Sequence, residues 1–262
     1  MRQRGGFTLI ELAIVLVIIG LLIGGILAAQ SMISTAKINA TVRQIGQFDA
    51  AVMNFKSKYN YLPGDAPAFG GNGNGLIDLG AACIYGTDIT AFACEIANFW
   101  SQAESQEFKA STYSFPGVPA ESSGANKNVP AAKIGKSNDF VIASALSADS
   151  WHAATTNPSN YYAILDSSNA QTGNYNFHPT TSSNSAVEPA ALLALDTKMD
   201  DGVGNTGNVL SGAIGESGFG TGAIVVAPLA TCSNGSGVYQ IQNSGYECTP
   251  LIRIGGSVGD PQ

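Results

Sequence analysis

Residues 7–29 read FTLIELAIVLVIIGLLIGGILAA, and only Thr8 and Glu11 among these 23 residues carry clearly polar side chains. At about 1.5 Å per residue, a helix of this length crosses the roughly 30 Å hydrocarbon core of a bilayer. Arg2 and Arg4 precede the block and no basic residue follows until Lys37. The positive-inside rule therefore places the N-terminus in the cytoplasm and the bulk of the chain on the far side. The alternative is a cleaved secretory signal, whose apolar region spans about 7–15 residues and ends in a small-x-small cut site. This block is longer and holds a carboxylate, so it reads as an anchor.

Glu11 is the informative residue. A carboxylate in an apolar membrane helix costs about 2.5–3.5 kcal/mol unless it is protonated or paired, and such residues mark function. No basic residue lies within the block. The expected partner therefore comes from another chain, from a newly made terminus, or from both.

The octapeptide Gly5-Gly6-Phe7-Thr8-Leu9-Ile10-Glu11-Leu12 resembles the class III signal of type IV pilins and type II secretion pseudopilins. The resemblance implies that a prepilin peptidase cuts after Gly6 and N-methylates Phe7. It also implies that Glu11 pairs with the terminal amine of a neighbouring subunit during filament assembly. Removing Arg2 and Arg4 lowers the basic count from 12 to 10 against 19 acidic residues, a formal side-chain charge of −9. The fold implied is α+β and pilin-like: a long N-terminal helix, transmembrane in its first half, packed on a C-terminal antiparallel sheet. Three segments follow, a leader at 1–6, a helix at 7–59 (transmembrane about 7–29, amphipathic 30–59), and a periplasmic or extracellular globular part at 60–262.

Past residue 29 the apolar positions become periodic. Ile38, Val42, Ile45, Phe48, Val52, Phe55 and Tyr59 draw one stripe, with Lys37, Arg43, Gln44, Asp49, Lys56 and Lys58 largely away from it. Leu62-Pro63-Gly64 ends the run, which gives one helix of about 80 Å. A helix lying on the membrane surface is the alternative. No proline interrupts the apolar half, a departure from many type IV pilins that touches only their helix kink.

The globular part is rich in Ser, Thr, Asn and Gly. Residues 60–81 read as a long loop, 89–108 as a second helix, 110–138 as loop, and 187–199 as a short helix with Pro189 near its start. Apolar or β-branched runs at 140–145, 161–165, 223–226, 238–241 and 251–254 predict an antiparallel sheet. The segments 61–65 and 195–202 also resemble stretches of long bacterial prepilin-like proteins.

The chain has 262 residues, a net charge of −7, 12% charged residues and 31 glycines. That balance lacks the electrostatic footprint of a general nucleic-acid binder. Two His and four Cys without a Cys-x-x-Cys leave little room for a tetrahedral zinc site. Local pairing joins Cys83 with Cys94 and Cys232 with Cys248 and implies an oxidising compartment; four buried free thiols are the alternative. The second pair also resembles the disulfide loop common in pilins.

Oxygen-rich clusters are the remaining candidates. Asn72, Asn74 and Asp78 alternate like the middle of a calcium loop, but Gly70 and Ala81 hold the places of its end ligands, so a polar turn is expected. Asp196, Asp200, Asp201 and Asn205 gather like charges that favour a cation. Calcium is the candidate, since several pseudopilins bind it in their C-terminal regions, and no other cofactor is expected. Gly202, Gly204 and Gly207 satisfy G-x-G-x-x-G without a preceding strand, and Ser34 with Lys37 satisfies S-x-x-K without its companion motifs. His152 and His178 have no nucleophile beside them in sequence. No catalytic site is expected, and the chain reads as a non-enzyme.

The expectation is a structural subunit of a type IV pilus-like or type II secretion pseudopilus filament, minor or large. Its partners would be other pilin or pseudopilin subunits, the prepilin peptidase and the inner-membrane assembly platform, with no nucleic acid. It would begin as a single-pass inner-membrane protein and then enter a filament or reach the cell surface. A filament-tip adhesin or calcium-dependent surface-binding protein on a pilin anchor is the alternative. Pilus, secretion and competence systems stay equally open.

Overall fold

The computed structural model describes residues 8–77, 95, 99–100, 102, 130–136, 138–145, 159–166, 185–216, 224–227 and 230–255. One α-helix, α1 (Leu9–Tyr59), runs 51 residues without a break, about 77 Å. Asn60 ends it in the left-handed conformation at φ 61°, its N–H bonded to the Lys56 carbonyl at 2.8 Å. Asparagine tolerates that region better than most residues, so helix and loop separate cleanly there.

Burial divides α1. Every residue from 9 to 37 is exposed, and the first buried side chain is Ile38. From there Thr41, Ile45, Phe48, Asp49, Ala51, Val52 and Phe55 face the core, with Val42 packed at its edge. The expected stripe is present, but Asp49 was placed on the solvent side and lies inside it, only 4% exposed. A carboxylate is admitted there because the sheet supplies hydrogen-bond donors, a long-range fact that periodicity does not carry.

Among the described residues, five strands form one sheet in the order β1-β2-β5-β3-β4, every pair antiparallel: β1 (Asn138–Ala145), β2 (Ser159–Asp166), β3 (Val209–Glu216), β4 (Ile224–Ala227) and β5 (Thr249–Arg253). The last strand in sequence lies in the middle, paired to β2 through Tyr162 and Ile252 and to β3 through Leu210 and Leu251. Between β2 and β3, α2 (Pro189–Met199) starts with proline at its first turn and buries Leu192, Leu195, Asp196 and Met199. Proline is suited to that position because its missing N–H would have no helical partner.

The aromatic centre of the core joins helix to sheet. Phe48 meets Trp100 edge-on with centroids 4.9 Å apart and Tyr162 of β2 at 5.6 Å, while Phe99 meets Trp100 at 4.9 Å. Such pairs add to the area they bury. Glu95, Phe99, Trp100 and Gln102 are helical, within the expected second helix; the rest of 89–108 lies outside the described residues.

Two expectations for the sheet are corrected. β3 lies outside the expected strand runs, because Ser211, Gly212 and Gly215 dilute its apolar pattern. The run at 238–241 was read as a strand, yet it forms no strand, and Val238 and Ile241 are 59% and 58% exposed. There the backbone is used locally: Asn234 Oδ1 accepts the N–H groups of Ser236 and Val238, each at 3.0 Å, and Gly237 turns at φ 79°. Only a bridge between Ser233 and Tyr239 remains.

Candidate functional site

The first site is the start of α1. Thr8 is the N-cap, and its N–H donates to Glu11 Oε2 at 2.8 Å while the Glu11 N–H donates to Thr8 Oγ1 at 3.4 Å. This capping box satisfies two helix-end donors reciprocally. The carboxylate thus has an intrachain hydrogen-bond partner in the N-cap backbone, beside which the expected cation from another chain or a new terminus could still stand. The signal was in the sequence, as Thr-x-x-Glu directly before an apolar run. Beyond this box, residues 9–29 present Leu, Ile and Val on every side. A surface of that length is unstable in water and calls for lipid or other helices around it. The leader at 1–6, which includes Gly6, and Phe7 lie outside the described residues, as do Cys83, Cys94, Asp78, His152 and His178.

The second site is the end of α2 and the loop after it. One carboxylate oxygen from each of Asp196, Asp200 and Asp201 lies within 4.8 Å of the others. Asp196 is buried, accepting from the Tyr239 hydroxyl at 2.7 Å and the Gly202 N–H at 3.2 Å. Burial pushes its carboxyl up to about 6; the bonds from Tyr239 and Gly202 oppose this, while the charges of Asp201 and Asp200 add to it. The same burial, with Asp196 beside it, raises the Tyr239 hydroxyl. Asp200 Oδ2 accepts from the N–H groups of Asn208 and Val209, and Asp201 accepts from Val203 N–H at 2.8 Å and Thr206 Oγ1 at 2.5 Å.

The cluster thus folds the 202–209 loop and launches β3. The glycines of the G-x-G-x-x-G match serve that packing, since a Cβ at Gly207 would overlap the Asp200 carboxylate and one at Gly204 would strike Ser211 Oγ. The Asn205 side chain lies against Gly237. Three carboxylates form a hard-oxygen donor set of the kind calcium takes.

Cys232 and Cys248 form a disulfide with Cα atoms 5.1 Å apart, both buried. It fastens the 233–247 loop to the sheet, and Tyr239 of that loop reaches Asp196, so loop, α2 and sheet are tied together. In the earlier loop, Asn72 Oδ1 accepts Asn74 N–H at 2.9 Å and Asn74 Oδ1 accepts Leu76 N–H at 2.7 Å, each turning back on its own backbone. Ser34 and Lys37 are exposed on α1.

Comparison with curated proteins and with solved structures gives no match. Residues 1–27 match the family model described as the prokaryotic N-terminal methylation motif. That motif marks a structural class of protein and implies processing by a prepilin peptidase and assembly with other pilin subunits. With the long helix and antiparallel sheet behind it, the chain has the α+β layout of a pilin and carries the prepilin-type signature of type IV pilins and pseudopilins.

Proposed function

We propose that this chain is a minor or large subunit of a type IV pilus-like or type II secretion pseudopilus filament. It is made as a prepilin, cut after Gly6 and N-methylated at Phe7. The observation that carries the reading is a methylation motif at the head of a helix whose residues 9–37 are exposed. In the inner membrane, with the N-terminus cytoplasmic, lipid covers that surface; in the filament, neighbouring helices do. Mass spectrometry of the mature chain tests it. A start at N-methylated Phe7 is expected, and a start at Met1 or near Ser31 would overturn it.

A second reading concerns calcium at Asp196, Asp200 and Asp201, supported by the 4.8 Å grouping of their oxygens. Bound calcium would hold the α2 end and the following loop and would act through stability rather than chemistry. Millimolar calcium should then raise the melting temperature by mass action on the folded state. An indifferent melting temperature would leave the cluster as a hydrogen-bonded loop staple.

A further inference from the structure

Part of the apolar face of α1 repeats along its own axis. Ile38, Ile45, Val52 and Tyr59 recur every seven residues, and so do Phe48 and Phe55. Sliding the helix by seven residues, about 10.5 Å, returns an apolar side chain to the places of Ile45 and Val52 in either direction, and to those of Ile38, Phe48 and Phe55 in one direction each. Apolar packing tolerates exchanges that conserve volume. Asp49 breaks this repeat in both directions, since the residues seven away are Val42 and Lys56, and buried Ala51, with Gln44 and Lys58 seven away, reinforces it.

Asp49 Oδ1 accepts from the Tyr162 hydroxyl at 3.1 Å and from the Gly255 N–H at 2.9 Å. Tyr162 lies in β2 and is fully buried, and Gly255 follows the end of β5, so one oxygen ties the helix to two neighbouring strands. In a slipped register Val42 would leave both donors facing hydrocarbon, and Lys56 would bring an ammonium against them. Unmatched buried donors are penalised far more than an imperfect apolar fit. Fixing register is also the best-attested use of a buried polar residue.

We propose that Asp49 is the positioning residue that fixes the axial register of α1 on the sheet, and that through the continuous helix it sets how far Glu11 stands from the globular part. The first half stands without the filament reading, and only the second rests on it. The two lie 38 residues apart, about 57 Å of helix, so a slip at the sheet is passed undiminished to the other end.

The test uses the full chain in detergent with spin labels on Gln47→Cys and Val238→Cys, both exposed positions. The unsubstituted residue 49 should give one narrow distance. Asp49→Leu should add a population displaced by up to about 10 Å while the chain stays folded, and Asp49→Asn, whose amide oxygen accepts both bonds, should restore the single distance. A single unshifted distance in Asp49→Leu would overturn the proposal. If that variant does not fold, Tyr162→Phe removes one donor and keeps the ring, and an unbroadened distance there overturns it equally. In cells, Asp49→Leu should be lost from sheared filaments while Asp49→Asn is retained. A slipped Asp49→Leu that enters filaments like wild type would overturn the link to Glu11. Wild type missing from filaments would instead sink the filament reading and leave the spin-label result to decide the register.

Discussion

Residues 9–37 and 38–59 of α1 share one backbone and one helical geometry, yet the first stretch is exposed along its whole length and the second is buried on one face. The difference lies in side-chain pattern alone. The apolar surface that residues 9–29 show on all sides cannot be covered by one small domain, so it needs lipid or a ring of other helices, whereas a stripe is covered by a single sheet. Folding of the globular part therefore depends on the second stretch and assembly on the first, and substitutions in the two should separate accordingly.

The sharpest contrast is a matched pair of truncations. Phe48→Ala should destabilise the folded chain by about 3–5 kcal/mol, since it empties the space between Trp100 and Tyr162. Leu16→Ala, on the exposed stretch, should leave the unfolding of the globular part unchanged. Chemical denaturation followed by tryptophan fluorescence measures both, and equal losses would erase the distinction between the two stretches.

Reducing Cys232–Cys248, or replacing both with Ser, should cost about 3 kcal/mol by freeing a 16-residue separation in the unfolded chain. Because Tyr239 lies in that loop and bonds Asp196, the 202–209 segment should lose amide protection in hydrogen exchange along with it. Protection there unchanged by reduction would uncouple loop from cluster.

A smaller effect comes from pH. The Asp196 carboxyl stands at about 6 in the folded chain, raised first by burial, against about 3.9 when unfolded. The folded state therefore holds this proton more tightly. The associated stabilisation is fully present below about pH 3.9 and is lost as pH rises through about 6, at most about 2–3 kcal/mol. Other carboxylates titrate too, so the quantity to read is the difference between wild type and Asp196→Asn, whose melting temperature should lack this component between pH 4.5 and 7.5. Added calcium would favour the ionised carboxylates and shrink the acid-side gain, which gives the metal reading an independent signature.

What could be read in advance followed from local pattern. The apolar block and the 3–4 spacing beyond it place α1, and proline before a short periodic run places α2, because both depend on neighbours within a turn or two. Asp49 could not be placed inside, since its admission depends on Tyr162 and Gly255, 113 and 206 residues away. β3 was hidden because its glycines and serine are compensated by pairing on both sides. Val238 and Ile241 misled for the opposite reason, as a β-like composition sits in a loop whose N–H groups are taken by Asn234. At the helix start, Thr-x-x-Glu before an apolar run spells out the hydrogen bond between Thr8 and Glu11.

The most direct test of the division within α1 is filament fractionation of Glu11→Ala. In the membrane this carboxylate is costly, and against the terminal ammonium of a neighbouring subunit two charges near 4 Å attract by roughly 4 kcal/mol at an effective dielectric of 20, partly offset by desolvation. Thr8→Ala serves as control for the loss of the helix cap alone. Sheared filaments and inner membrane are separated and probed for the chain. Glu11→Ala should be cleaved, carry a normally folded globular part and stay in the membrane, while wild type appears in the sheared fraction. Glu11→Ala in sheared filaments at the wild-type level would contradict the account.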